Sequence, residues 1–299
     1  MKILITGASG FIGSHLVGRL NEKHDLYSLK SDLREHSRVD NELKEFSPEL
    51  IIHLAARTEV EQSFYEQVEF SDINYTGTVN LIECASKLPN LKNFIFASTM
   101  EVYGFQEVSI SPNTIPVFDE TTQPNPNAPY AVAKYGCEKY LEYAGRSLDL
   151  PYTIIRQTNS YGRKDNDFFV VEQVITQMLK NPNEINLGYK EPYRNFLYIE
   201  DLIDVWDLVI NNINKVKGEI FCLGPNNAVS IETLVTMIAE KLNWNGKINW
   251  NTKPNRPGEI SILNSTNKKI TSKLGWYPKT DLSLGLDLTI KTWKEKLKE

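Results

Sequence analysis

Cysteine is scarce in this chain, with three in 299 residues. Cys84, Cys137 and Cys222 are an odd number at unrelated spacings, which argues against a disulfide framework. No Cys-x-x-Cys pair offers half of a zinc site, so no metal is expected. The three thiols read as small buried hydrophobes of a reducing compartment. Also missing is any apolar stretch of about 18 residues, the length that a membrane-spanning helix requires. No signal segment precedes Lys2, where a strand already begins, so a cytoplasmic location is expected. Runs of basic residues are absent, and the net charge of −5 is spread along the chain. Nucleic acid is therefore not an expected partner. The lysines and arginines that recur singly in loops suit a small anionic ligand better than a polyanion. There is no internal repeat and no low-complexity segment.

What is present is an ordinary globular composition, 41% hydrophobic and 24% charged, long enough for one large domain or two unequal ones. The first half alternates short apolar runs with helical patterns, the rhythm of a parallel sheet. Strands are expected at Ile3–Ile5, Leu26–Leu29, Leu50–Leu54, Asn93–Ala97 and Tyr152–Ile155. Helices are expected at Ile12–Asn21, Ser37–Phe46, Phe70–Lys87 and Tyr130–Ser147. After Asn159 the rhythm loosens, with helical stretches at Val170–Leu179, Asp201–Asn211, Ile231–Leu242 and Leu284–Lys298 among proline-bearing loops. The expected fold is α/β: a Rossmann-type doubly wound parallel sheet with a smaller C-terminal substrate-binding region. Residues 1–160 would form the dinucleotide-binding domain, with later segments added to the sheet, and 161–299 mainly the substrate-binding region. Ligands of such sheets bind at the C-terminal strand edge, where the strand order reverses.

Thr6-Gly7-Ala8-Ser9-Gly10-Phe11-Ile12-Gly13 joins the first strand to the first helix. Gly7 and Gly10 permit a tight turn and let backbone amides approach a pyrophosphate, which the helix N-terminus attracts. Gly13 lets the helix pack closely on the sheet. The spacing is Gly-x-x-Gly-x-x-Gly, and its position between first strand and first helix gives it weight. The second strand ends at Lys30, with Asp32 and Arg34 close behind. A cation facing the ribose accommodates a 2′-phosphate, whereas a carboxylate bonds the 2′-hydroxyl. If Lys30 faces the ribose the cofactor is NADP; if Lys30 points to solvent, Asp32 takes the ribose of NAD. The expectation is NAD(P), tipped toward NADP.

Tyr130 and Lys134, four apart at the start of a helix, share one face. Half ionising a tyrosine near neutrality costs about 4 kcal/mol. A cation about 4 Å away supplies roughly that much at an effective dielectric near 20. Lys134 and an oxidised nicotinamide could together make Tyr130 a proton acceptor from a substrate hydroxyl. Thr99, at the end of the fourth strand, can orient the same oxygen, although strand-end hydroxyls often serve as turn caps.

With these features the chain resembles the extended short-chain dehydrogenase/reductases of the nucleotide-sugar epimerase/dehydratase family. The likeness runs through Thr6–Gly13, Ile51–Ala56, Ser98–Gly104, Tyr130–Lys134, Arg156–Gly162, Tyr193–Leu202 and Asn255–Glu259. It implies a catalytic triad of Thr99, Tyr130 and Lys134. It places the cofactor against Gly7, Gly10, Phe11, Ile12, Gly13, Leu54, Ala55, Ala56, Tyr130 and Lys134. It implies that Asn159, Arg194 and Arg256 hold the diphosphate of a nucleotide-diphosphate sugar, and two arginines with an amide suit such a group. Hydride transfer at sugar C4 is the implied common step. Glu101 sits where similar 4,6-dehydratases carry a glutamate that removes a proton next to the new ketone. Met100 stands where the thymidine-diphosphate-glucose enzymes have an acidic proton donor, and a thioether cannot donate. The short segment from Lys30 to Ile51 resembles instead the NADPH-dependent 4-keto-sugar reductases. An epimerase/dehydratase type of enzyme is the first expectation, a reductase the second and a non-catalytic cofactor-binding protein the third. The resemblance also implies a homodimer, paired through Phe70–Lys87 and Tyr130–Ser147, with Val79, Leu81, Ile82 and Ala85 as apolar positions that could otherwise face the sheet.

Overall fold

Strands without a polar face need helices on both sides of the sheet they form. The computed structural model describes residues 1–110, 115–163, 165–225, 227–252 and 257–298. It opens with β1 (Lys2–Thr6), α1 (Phe11–Leu20), β2 (Asp25–Ser28), α2 (His36–Phe46) and β3 (Leu50–His53). Next come α3 (Val60–Ser63), α4 (Gln67–Ser71), α5 (Gly77–Ala85), β4 (Asn93–Thr99), α6 (Pro129–Ser147) and β5 (Tyr152–Gln157). Then follow β6 (Asn159–Tyr161), α7 (Val170–Lys180), β7 (Glu184–Asn186), β8 (Tyr193–Arg194) and β9 (Phe196–Tyr198). After these are α8 (Ile199–Asn211), α9 (Ile213–Val216), β10 (Glu219–Cys222), β11 (Val229–Ser230) and α10 (Ile231–Leu242). The chain closes with β12 (Lys247–Asn249), β13 (Ile262–Leu263), α11 (Lys268–Leu274) and α12 (Leu282–Lys296).

Six strands form one parallel sheet in the order β10-β5-β4-β3-β1-β2. The chain leaves β1 toward β2 on one side and returns to β3 on the other, so the switch in strand order lies between β1 and β3. Alternate residues of each strand supply opposite cores. Ile3, Ile5, Ile52, Ile95 and Ile155 pack with Leu16 and Leu20 of α1 and Leu202 and Trp206 of α8. Leu4, Ile51, Phe94, Phe96 and Ile154 pack with Val39 of α2, Leu81 of α5, and Cys137 and Leu141 of α6. A third core joins α7, α10 and α12 through Val174, Leu234, Leu286 and Trp293. β10, from late in the chain, completes the sheet edge.

Two expectations change. The helix expected over Phe70–Lys87 is three pieces: α4, a widened π turn at Asp72–Thr76, and α5. Asn74 explains the bulge, because its side chain bonds the Arg57 amide (2.8 Å) and carbonyl (2.9 Å) while its carbonyl accepts from Thr78 and Cys137. Leu81, Ile82 and Ala85 are buried against the sheet, the alternative the sequence left open. The apolar residues that α4 and α6 leave exposed are Val68, Val132 and Tyr143. Among the described residues, no helix is long and apolar enough to cross a membrane.

One ion pair lies wholly inside. Glu138 of α6 takes the Arg156 guanidinium of β5 through both oxygens, at 2.7 Å to Nη2 and 3.0 Å to Nε. Ser98 donates to the same carboxylate, and Arg156 Nη1 donates to the Tyr103 hydroxyl at 3.1 Å. Glu138→Met strands the guanidinium and should cost about 3–5 kcal/mol in urea unfolding. Glu138→Met/Arg156→Met should cost less than the single change; a larger loss in the double variant would mean the pair is not coupled in this way.

Candidate active site

The turn after β1 is closed by backbone contact. Gly7 has φ +70°, and a Cβ there would lie 2.7 Å from the Ala55 nitrogen. A Cβ on Gly13 would lie 2.1 Å from the Gly7 carbonyl oxygen. The turn therefore brings the first turn of α1 against the strand end of β3. Thr6 fastens it from below, accepting the Ala55 N–H at 3.1 Å and meeting His53 Nδ1 at 2.6 Å. His53 Nε2 reaches Thr78 Oγ1 at 2.8 Å, and that hydroxyl gives its proton to the Asn74 carbonyl. The protons thus have one arrangement: Nε2 donates and Nδ1 accepts. Burial holds the His53 imidazolium form far out of reach, and the Lys134 charge acts in the same direction. His53 is a structural residue.

No side chain caps the N-terminus of α1, which leaves its first amides open to an anion. A cavity of about 860 Å³ lies over it, lined by Gly7, Gly10, Phe11, Ile12, Gly13, Leu54, Ala55, Ala56, Tyr130 and Lys134 among others. Its size and its unfilled glycine cradle fit a dinucleotide. Lys30 and Asp32 do not line it. The Lys30 ammonium stands 5.8 Å over the Tyr27 ring. Asp32 is held by Arg34 at 2.6 Å, which drops its carboxyl to about 2. The backbone amides of Lys30 and Ser31 are taken by Glu42. This geometry gives the expected tilt toward NADP no support.

Tyr130 and Lys134 line the cavity, and Thr99 lies with Tyr130 on the wall of an adjoining one. β4 runs to Thr99, two residues beyond its expected end, and its register with β5 pairs Thr99 with Gln157. Thr99 accepts the Glu101 N–H at 3.1 Å, so it caps the turn, and it lines the same small cavity as the Tyr130 phenol. Pro129 at the first position of α6 sets Tyr130 in the first turn. Burial pushes the Tyr130 phenol up, Glu101 pushes the same way, and the nearby Thr99 hydroxyl pulls back. This is opposite to the direction expected from Lys134. The reason is where the ammonium goes: it donates to the Ala97 carbonyl at 2.9 Å and lies 4.6 Å over the Phe96 ring. Burial brings the Lys134 amine down to about 8, against the pull of Cys137 and Glu138.

Two smaller cavities continue from this corner. One of about 190 Å³ is lined by Thr99, Glu101, Tyr130, Asn159 and Arg163, and one of about 250 Å³ by Glu101, Asn159, Arg194 and Glu259. Asn159 donates to the Asn195 carbonyl at 3.1 Å. Arg194 is anchored by Glu259 at 3.2 Å and by the Ile260 carbonyl at 2.9 Å. Asn159 and Arg194 thus share a cavity; Arg256 lies outside the described residues. Met100 does not enter any of these cavities. Its side chain is buried beside Tyr103, Phe118 and Cys222, and its sulfur accepts from Thr158. Sequence reasoning missed Gln157, Thr58, Arg163 and Phe169 on the cavity walls. Arg163 alone had a signal, a cation directly after the Arg156–Gly162 motif.

A parallel doubly wound sheet with a glycine turn at its switch point, a cavity over the turn and a Tyr-Lys pair at its inner end define a dinucleotide-binding α/β protein. Residues 3–224 match the family model described as the NAD dependent epimerase/dehydratase family, and the chain belongs to that family. A putative UDP-glucose 4-epimerase of Methanocaldococcus jannaschii is 31% identical over 98% of both chains. The human dTDP-D-glucose 4,6-dehydratase is 28% identical over 98% of this chain and 90% of its own. Among solved structures, the UDP-glucose 4-epimerase of Thermotoga maritima with UDP-glucose superposes with a TM-score of 0.89 at 28% identity, covering 99% of this chain and 100% of that one.

The Lys134 shift sets a direction for stability. Above about 8 the folded chain has released a proton that the unfolded chain keeps until about 10.5, so this residue makes stability rise with pH across that window. The stability difference between wild type and Lys134→Met should therefore move in favour of wild type by up to about 3 kcal/mol from pH 7.5 to pH 10.5. Urea titrations at the two pH values measure it, and a difference that does not change with pH would contradict a depressed amine.

Proposed function

We propose that the protein is a UDP-hexose 4-epimerase that uses a nicotinamide dinucleotide in an internal redox cycle. The observation that carries this reading is a single corner where Tyr130 lines both the cavity over the glycine turn and the smaller cavity that it shares with Thr99, Glu101 and Asn159, with Arg194 in the next cavity beside Glu101 and Asn159. Bound over that turn, the oxidised cofactor supplies a hydride acceptor, later the hydride donor, and a positive charge. Tyr130 accepts the proton of the sugar 4-hydroxyl and returns it when the ketone is reduced from the other face. Thr99 orients that oxygen. Lys134, fixed on the Ala97 carbonyl, holds positive charge beneath the cavity. Asn159, Arg194 and Arg256 hold the diphosphate.

Epimerisation is favoured over 4,6-elimination by position 100. Elimination needs an acid for the leaving hydroxyl, and Met100 is an apolar residue turned into the core. Glu101 remains beside Tyr130, where it raises the phenol. On this reading residues 1–160, with α8 and β10, hold the cofactor, and 161–299 mainly hold the substrate. Two copies pair through α4 and α6, whose Val68 and Val132 are 83% and 55% exposed.

Incubation with UDP-glucose and NAD+ should yield UDP-galactose at equilibrium with no net change in cofactor. A 4-keto-6-deoxy product, or stoichiometric consumption of NADPH, would replace this reading with a dehydratase or a reductase. Tyr130→Phe should lower kcat by at least about 100-fold, the usual contribution of a general acid–base group, while NAD+ affinity stays within a few-fold. Unchanged turnover in that variant removes Tyr130 from proton transfer. Sedimentation at micromolar concentration should give a dimer, and Val132→Glu should give a monomer; a wild-type monomer would end the pairing proposal.

A further inference from the structure

Arg163 is a buried guanidinium with no carboxylate in direct contact among the described residues; Glu172 acts on it only at longer range. Arg163 is 9% exposed and lines both the cavity over α1 and the adjoining cavity that holds Thr99 and Tyr130. Its guanidinium is stacked between two rings, 4.3 Å from the centre of Phe11 and 3.8 Å from that of Phe169. Phe11 is the first residue of α1, so the charge stands beside the uncapped amides of that helix. One Nη donates to the Ser160 carbonyl. Among the described residues the other side-chain donors meet no acceptor, and no carboxylate pairs with the group. Glu172 is the near carboxylate, and its Oε1 accepts from the backbone amides of Gly162 and Arg163 (2.9 and 3.0 Å). Its Oε2 meets no donor among the described residues, and its charge supports the guanidinium without pairing with it. Asp165, on the cavity rim, is paired with Lys296. Burial lowers the Arg163 guanidinium to about 10, still charged at neutral pH.

The surroundings hold the side chain in this position. Gly162 has φ +106°, and a Cβ there would lie 2.9 Å from Ile199 Cγ2, so the turn before Arg163 requires glycine. Glu172 clamps the same turn from α7 through the two amides. The two rings hold the guanidinium on the wall that the two cavities share. A buried cation so fixed, with donors to spare, is an incomplete anion site.

We propose that Arg163 is a phosphate clamp that closes on the cofactor's pyrophosphate from the side opposite the glycine turn, so that the phosphates lie between the first amides of α1 and one guanidinium. The clamp rests on the reading that a dinucleotide occupies the large cavity. It also links the two halves of the site: Phe169, which stacks on Arg163, lines the cavities on the sugar side as well.

Calorimetric titration of cofactor-stripped protein tests this with NAD+, ADP-ribose and UDP as separate ligands. R163M should bind NAD+ and ADP-ribose roughly 10- to 100-fold more weakly, as expected for lost charge-assisted bonds, and UDP as wild type does. R163K should recover part of the loss, since it restores charge without the planar fork. R163Q serves the same comparison if R163M does not fold. Wild-type affinity of R163M or R163Q for NAD+ overturns the clamp, and so does a loss confined to UDP. If the wild-type protein binds neither NAD+ nor ADP-ribose, the dinucleotide reading itself fails, and the clamp with it.

Discussion

The approach of two backbones, at Gly7 and Ala55, governs the geometry of the whole site. There is no room between them for a methyl group, so the turn after β1 and the end of β3 are held as one surface. Thr6 and His53 lock that surface from beneath with hydrogen bonds whose direction is fixed by the Thr78–Asn74 contact. The same chain of bonds reaches the π turn at Asn74, and through it Cys137 of α6, the helix that carries Tyr130 and Lys134. The glycine turn and the helix that carries Tyr130 and Lys134 are therefore parts of one hydrogen-bonded frame. A small displacement of β3 would be felt at both.

A second frame lies under the corner that holds Thr99 and Tyr130. Lys134 and Glu138 are one turn apart on α6, and Glu138 ties Ser98 of β4 to Arg156 of β5. Thr99 follows Ser98, so the carboxylate fixes the strand end that brings Thr99 into the same cavity as Tyr130. Burying this charge is tolerable because Ser98 and two guanidinium nitrogens of Arg156 donate to it, while the third nitrogen donates to Tyr103. The arrangement is costly to assemble and gives the site rigidity that a surface pair could not.

Charge is divided across the cavities in a way that suits the proposed chemistry. The large cavity is bounded by helix amides and the Arg163 guanidinium, which favour phosphate. The inner corner is bounded by Tyr130, Glu101 and Thr99, where burial and a neighbouring carboxylate keep the phenol protonated. On the proposed function, the positive charge of an oxidised nicotinamide bound there would offset both and so make Tyr130 a better proton acceptor.

Much of this was written in local patterns. The alternation of apolar triplets with helical stretches named the parallel sheet, because strands buried on both faces leave an unmistakable run of Ile, Leu and Phe. The glycine spacing named the turn, because only residues without a Cβ fit there. The Tyr130–Lys134 spacing named a shared helix face. What stayed hidden depended on where side chains ended up across the fold. The direction of Lys134 toward Ala97, the withdrawal of Met100 into the core, the occupation of Asp32 by Arg34 and the π turn at Asn74 all arise from partners distant in sequence or from local packing that periodicity does not encode. Arg163 is the clearest case. Its charge was legible, but its stacking between Phe11, 152 residues earlier, and Phe169 exists only once the sheet has brought α1 against the later loop. Sequence by itself determined which backbone conformations and apolar faces were available. Tertiary structure decided which charges were left without partners, because a charge's energy depends on what surrounds it in space and not on its neighbours along the chain.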